Sequence, residues 1–238
     1  ISLYTMLAGQ VDSRDHGYAE LSNEINIHTG GISLGLLLRS NYQDPDEVLP
    51  KLLLNGKAVR NKTGKLMELA AELALRPVFT DRDRLKQIIR ETKSKMESML
   101  FYNGHQIAVN RMLAPFSQAH RYSDRSSGLE YYHFLNDLEK SLDTEIDRIV
   151  AELGWVRDTF FIRNNLLISL TADEAGIAEA FGQLKPFVES LSSEAPSPVE
   201  RRFQPKDLNE AILAPVQVQF FVKGGTFSRN GYSSSGKL

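Results

Sequence analysis

The sequence has no cysteine among its 238 residues. That excludes disulfide scaffolds, thiolate zinc sites, iron–sulfur clusters and cysteine nucleophiles together. It also fits a reducing compartment, and an aqueous, cytoplasmic one is expected. A basic surplus is missing as well: 28 Lys and Arg stand against 30 Asp and Glu, for a net charge of −2. Nucleic acid is therefore not an expected partner, because displacing counterions from phosphates takes an excess of cations. No apolar run approaches the roughly 20 residues that cross a bilayer, so no membrane partner is expected either. The apolar opening, Ile1 to Val11, has no Lys or Arg ahead of it, unlike a signal peptide. The sequence starts at Ile1 and reads as a soluble piece cut from a longer protein.

What is present is ordinary globular material, 42% hydrophobic and 24% charged, enough for a real core at this length. Ile1–Val11 looks helical. Tyr18, Leu21, Ile25 and His28 recur at helical spacing, and Gly30-Gly31 is read as a left-handed helix stop. Ile32–Ser40 is an apolar run suited to a strand buried on both faces. Val48–Val59 is a second strand-like or helical stretch, with Asn55-Gly56 able to turn inside it. Thr63–Leu75 is rich in helix formers. Thr80-Asp81 can cap the next helix, whose stripe of Leu85, Ile88, Ile89, Thr92, Met96, Met99 and Leu100 makes it the longest expected. Helical patterns follow at His105–Phe116, Leu129–Leu142 and Asp143–Leu153. Asn165–Leu170 reads as a short strand and Ala172–Leu191 as a helix. Ser192-Ser193-Glu194-Ala195-Pro196-Ser197-Pro198 is linker-like. The alternation Val216-Gln217-Val218-Gln219 marks a further strand, to Val222. Two early strands close enough to pair antiparallel, among many helices, give an α+β class: helices on one face of a mostly antiparallel sheet, as a two-layer sandwich.

Little of this carries chemistry. Gly231-Tyr232-Ser233-Ser234-Ser235-Gly236-Lys237-Leu238 approaches a phosphate loop, but Leu238 stands where a hydroxyl would bind magnesium. Glu130-Tyr131-Tyr132-His133 has the Glu-x-x-His spacing of di-iron bundles, which need two such motifs and further Glu. His16, His28, His105, His120 and His133 include no pair four apart on one helix, and no Glu precedes a His directly, so no zincin-type motif is present. His28 is read as a hydrogen-bonded or capping histidine, and His105, beside the Gly104 break, as satisfying backbone. No Gly-x-Ser-x-Gly elbow occurs.

Several strings in order do resemble one family. They are Tyr18-x-x-Leu21-x-x-x-Ile25-x-x-x-Thr29-Gly30-Gly31-Ile32, Asp83-Arg84-Leu85, Gly104-His105-x-x-Ala108 and Gly128-Leu129-x-Tyr131-x-x-Phe134-Leu135. Val222-Lys223-Gly224-Gly225 and Gly231-Tyr232-x-x-Ser235-Gly236-x-Leu238 complete the set. Together they resemble the C-terminal half of insulinase (pitrilysin) zinc metallopeptidases of the presequence-protease-like branch. The resemblance implies a much longer polypeptide of four related α/β domains in two halves, which close around a chamber that admits unfolded peptides. Zinc would be bound by His-x-x-Glu-His in the N-terminal catalytic half, outside this chain, and the chain itself would hold neither metal nor catalytic residue. Residues 1–191 would form the third domain, 192–205 a linker, and 206–238 the first strand and start of a truncated fourth domain. Gly30, Gly31, Gly104 and His105 are carried over as structural positions of the family motif. A later family string, Arg-Val-Lys-Gly-Gly-Ala-Tyr-Gly, would place Phe221, Phe227 and Ser228 where Arg, Tyr and Gly stand, so the earlier strand is the better register. The implied partners are the N-terminal half of the same polypeptide and unfolded peptide. The implied role is the chamber wall of a peptidase, inactive alone. The alternative is a catalytically dead structural or peptide-binding subunit of the same family.

Overall fold

One apolar stripe organises the longest helix. Leu135, Leu138, Leu142, Ile146, Ile149, Leu153 and Val156 are all buried, and they recur every three or four residues, the period of one helical face. Nothing interrupts that stripe, so Leu129–Phe160 forms a single 32-residue helix, where the sequence reading expects two shorter ones. Gly154 lies within it with open space where a side chain would be.

The computed structural model describes residues 1–41, 47–194, 209–213, 217–225 and 231–232. The helices are α1 (Ser2–Leu7), α2 (Tyr18–His28), α3 (Thr63–Leu75), α4 (Arg82–Tyr102), α5 (Gly104–Leu113), α6 (Gln118–Ser127), α7 (Leu129–Phe160) and α8 (Glu174–Ser190). The strands β1 (Ile32–Ser40) and β2 (Val48–Gly56) pair in one sheet. Gly30 N–H donates to Lys57 O at 2.7 Å, Lys57 N–H to Gly31 O at 3.3 Å and Asn41 N–H to Glu47 O at 2.8 Å. The partners converge from both ends, so the pairing is antiparallel. The class is α+β, as expected.

The differences are local. Asn55-Gly56 ends β2 instead of turning within it. β1 is half-buried along most of its length, because it has one strand neighbour among the described residues and no layer closed over both faces. Among the described residues Asn165–Leu170 pairs with no strand: it opens with a 3-10 turn at Arg163–Asn165 and runs on outside any ladder. Positions 217–222 of the last expected strand likewise join no ladder among the described residues, and Val216 lies outside them. The sequence reading misses α6, whose buried side chain is Asp124 and not an apolar stripe. The expected linker lies outside the described residues from position 195 onward.

The chain divides into two compact units. The first comprises Ile1–Leu37, Lys51–Ile89 and Glu139–Val199. Here α3 packs against α2 and α8, and the core gathers Leu7, Leu69, Leu85, Ile88, Ile89, Leu142 and Ile162. Asp81 caps α4 through a 2.9 Å bond from Arg84 N–H, as its position suggests. Lys86 pairs with Asp143, and Arg82 with Asp147, so the start of α4 runs antiparallel to α7. Buried Glu72 is satisfied by Arg76 and by Asp15 N–H. The second unit comprises Leu38–Pro50, Arg90–Leu138 and Glu200–Leu238. Its buried apolar set is smaller: Ala114, Leu129, Tyr131, Leu135 and Leu138.

Tyr4 anchors the first core. Its ring meets Phe79 edge-on at 5.7 Å and its hydroxyl donates to Ala74 O at 2.7 Å. Burial pushes the phenol well above its ordinary value near 10. Above pH 10 the unfolded chain loses this proton while the folded chain keeps it. Stability therefore falls as pH rises, by up to about 1.4 kcal/mol per pH unit from this group. Tyr4→Phe costs about 1 kcal/mol near neutrality through the lost hydrogen bond, but lacks the alkaline slope. Urea stabilities of the two proteins should converge between pH 9 and 11; parallel curves would refute this assignment.

Candidate functional site

The segment 217–225 and α5 form one surface in the second unit. The Phe220 ring lies 5.7 Å from the His105 ring at 54°. A Cβ on Gly104 would stand 3.1 Å from Phe220, and one on Gly224 would collide with Met112 Sδ. The segment therefore follows the helix from its first turn to its last. Eight helical residues rise about 12 Å, and four extended ones cover about 13 Å, so the two lengths agree. Glycine at 104 and at 224 removes the side chain that would hold the layers apart. His105 is exposed and packs its ring on Phe220. α5 thus serves as a bed for an extended, apolar stretch of chain.

A cluster of charges secures that bed. Asp124, on α6, is 1% exposed. Its carboxylate accepts from Leu129 N–H at 3.0 Å, at the start of α7, and from the Arg111 guanidinium of α5. Arg111 forks onto Glu210 through two bonds of 2.7 Å and also reaches Glu130 at 3.2 Å. Glu130 pairs further with Arg121 and Arg125. Hydrogen bonds to Glu210, Asp124 and Glu130 raise the Arg111 guanidinium above its ordinary value, against the opposing cost of burial. Every charge in the cluster faces its opposite, which is a structural arrangement: no carboxylate of the cluster is left to act as a base. Gly128 makes the corner possible, since a Cβ there would lie 2.7 Å from Asp124 Cα and 2.6 Å from its carboxylate.

Gly30 and Gly31 belong to the first unit, at the entry of the hairpin. α2 ends with Thr29 extended, not left-handed. Gly31 carries the positive φ, +114°, and it does so beyond the helix, where the chain turns into β1. A Cβ on Gly30 would touch the Lys57 side chain at 2.8 Å. His28 is hydrogen-bonded: its Nδ1 lies 2.9 Å from Lys62 Nζ. Glu24, nearby, is held below its ordinary range chiefly by its hydrogen bond with Lys65.

The four motif positions therefore form two separate features: a hairpin entry, and a helix start beneath Phe220. Sequence reasoning misses Arg111, Asp124 and Glu210. Their signal is the spacing Asp124-x-x-x-Gly128-Leu129, with the acidic side chain turned back onto the next helix. Among the described residues no group of three or more His, Asp or Glu could hold a metal ion. The donor set here does not fit zinc. Glu130, of the Glu-x-x-His spacing, is engaged by arginines, and His133 packs beside Tyr132. Of the glycine-rich tail, positions 233–238 lie outside the described residues.

Comparison with known proteins gives these features a context. Residues 1–138 match the family described as associated with peptidases of family M16, subfamily C. The chain is 33% identical over its whole length to Protein HypA of Clostridium perfringens, covering 24% of that protein. It is 29% identical over 99% of its length to Presequence protease 1, chloroplastic/mitochondrial, of Arabidopsis thaliana, covering 22% of it. With the mitochondrial presequence protease of Saccharomyces cerevisiae it shares 27% identity over 73% of its length, or 18% of that protein. The chain thus spans about a quarter of the length of the first two relatives.

Glycine substitutions separate the roles. Gly128→Ala forces backbone against backbone and should cost about 1–3 kcal/mol. Gly31→Ala should cost on the order of 1 kcal/mol for its left-handed φ, although the space around it is open. Gly182→Ala, in open space within α8, should stabilise by about 0.5–1 kcal/mol. Urea unfolding of the three variants checks the order; a neutral Gly128→Ala would refute the corner.

Proposed function

The chain belongs to the family associated with M16 peptidases of subfamily C, and on that premise we propose that it is a wall of a peptide-degrading chamber. In this reading zinc and its activating Glu are carried by the N-terminal catalytic half of a longer polypeptide, and this part is inactive alone. The supporting observation is the pairing of two facts. The chain matches the Arabidopsis presequence protease along 99% of its own length but only 22% of that protein's, and the charged groups around Arg111 are spent on one another. Residues 1–191 then correspond to the third α/β domain, 192–205 to the linker and 206–238 to the opening of the fourth. Gly30, Gly31, Gly104 and His105 are structural in this scheme. The substrate would be an unfolded oligopeptide, in keeping with the relatives' name, and a part such as this one contributes enclosure and a binding surface.

Among the described residues no helix is long and apolar enough to cross a membrane. We place the protein in an aqueous, reducing compartment, the cytoplasm or, following the names of the relatives, an organelle interior.

The test uses the chain and the longer polypeptide from the same gene. The 238-residue chain should hold no stoichiometric zinc after dialysis and should leave an unstructured fluorogenic peptide uncut. The longer polypeptide should cut it and lose that activity to a chelator. Zinc-dependent turnover by the 238-residue chain would overturn the proposal. A longer polypeptide that binds the peptide without cutting it would replace a peptidase with a peptide-binding subunit.

A further inference from the structure

The Arg111 guanidinium has two sides, and they are filled from different sources. Its Nη1 corner is built into the helices: Asp124 of α6, 1% exposed, accepts from it at 2.5 Å, and Glu130 of α7 at 3.2 Å. Its Nε–Nη2 edge donates two bonds of 2.7 Å to a single carboxylate, that of Glu210. That planar, two-pronged match is the geometry by which arginine recognises a carboxylate. Asp124, a charge that water scarcely reaches, keeps its hold on Nη1 whatever lies on the other edge. The edge is thus aimed in advance of its occupant.

The occupant differs from the frame. Asp124 and Glu130 stand on helices, whereas Glu210 comes from residues 209–213, which form neither helix nor strand and are all exposed. Ile212 and Leu213, just after it, are 50% and 98% exposed. The Glu210 side chain is 32% exposed, against 15% for that of Arg111, so the fork opens to water on the carboxylate's side. Exchange for a carboxylate on another chain breaks two hydrogen bonds and makes two of the same kind. What opposes it is the tether, which keeps Glu210 at a high effective concentration beside Arg111. Gly224 lies against Met112, the next residue of α5, so the bed for an extended chain and the carboxylate seat adjoin on one helix.

We propose that the Nε–Nη2 edge of Arg111 is a seat for a carboxylate of an extended peptide, held in the resting chain by Glu210 and yielded to the ligand. The ligand class is an unstructured peptide that bears an acidic side chain or a free C-terminus. Glu210 is then a tethered competitor that sets a threshold: closed about nine-tenths of the time, it lowers the apparent affinity about tenfold. The inference deepens the peptide-binding surface proposed above and rests on it, but not on zinc or turnover.

The Nε–H resonance of Arg111 in the 15N-labelled 238-residue chain reads the seat directly. The probes are three Gly-Ser peptides. The first carries Glu and an amidated C-terminus, the second has Gln in place of that Glu, and the third has no acidic side chain but a free C-terminus. In Glu210→Gln, a carboxylate peptide should return the Arg111 signal toward its position in the unmutated chain. It should half-saturate at a concentration about 10-fold lower than the unmutated chain requires. The Gln peptide should leave the signal in place. A response to the first peptide alone assigns the seat to side chains and to the third alone to chain ends; either supports it. If Glu210→Gln does not fold, the unmutated chain decides, since carboxylate peptides must still move Arg111 at the higher concentration. No movement by any peptide up to on the order of tens of millimolar would overturn the proposal. So would equal movement by the Glu and Gln peptides, or equal half-saturation in the two chains. An Arg111 that responds, in a protein whose longer polypeptide cuts no peptide, would keep the seat and remove the catalytic reading. A longer polypeptide that cuts peptide while Arg111 never responds would do the reverse.

Discussion

The second unit depends on one carboxylate that water scarcely reaches. Asp124 joins α6 to the first turn of α7 through Leu129 N–H and to α5 through Arg111. A buried charge is costly unless it is paired and hydrogen-bonded, and here it is both. Arg111 then extends the connection to Glu210, and Glu130 draws in Arg121 and Arg125. The direction of α5, and with it the surface beneath Phe220 and Gly224, follows from that set of contacts.

The first unit solves the same problem differently. Its helices α3 and α8 and most of the α7 stripe bury Leu, Ile and Ala in continuous rows, and buried Glu72 and the Tyr4 hydroxyl find their partners within the same unit. Apolar burial supplies stability there without regard to direction. The second unit buries fewer such residues, so directional hydrogen bonds between charges carry more of its geometry. The division bears on function. The groups that look most chemical, Arg111, Asp124 and Glu130, are bound to one another and position an apolar bed. In that arrangement each charge meets its opposite, and what it fixes is the position of the helices.

Most helices were legible because their apolar residues repeat at helical spacing, and Asp81 announced its cap. The antiparallel hairpin and the α+β class were legible from two apolar runs in close succession. Periodicity failed where burial was polar: α6 hides Asp124 and shows no stripe, so no pattern marks it. It failed in the other direction between Leu142 and Asp143, where two helices were expected and the apolar stripe runs on through one. Residues 165–170 and 217–222 carry strand patterns, yet a strand is defined by its partner. A sequence records the side chains that suit pairing and says nothing of whether the neighbouring edge is present. The glycines show the same limit. Gly31 was legible as a stop, but its positive φ serves the turn into β1. The need for Gly128 comes from Asp124 Cα, a contact that only the folded chain reveals.

The central physical claim is that Asp124 and Arg111 act on each other to build structure. A double-mutant cycle in urea, with Arg111→Met, Asp124→Asn and the pair, tests it most directly. Arg111→Met should destabilise by about 3 kcal/mol or more, because it leaves the buried Asp124 carboxylate without a countercharge, and Asp124→Asn should cost less, because Arg111 keeps Glu210 and Glu130. The double variant should recover on the order of 1.5 kcal/mol or more of the summed loss. Additive losses, with no coupling between the two positions, would contradict the account and leave both side chains free for another role.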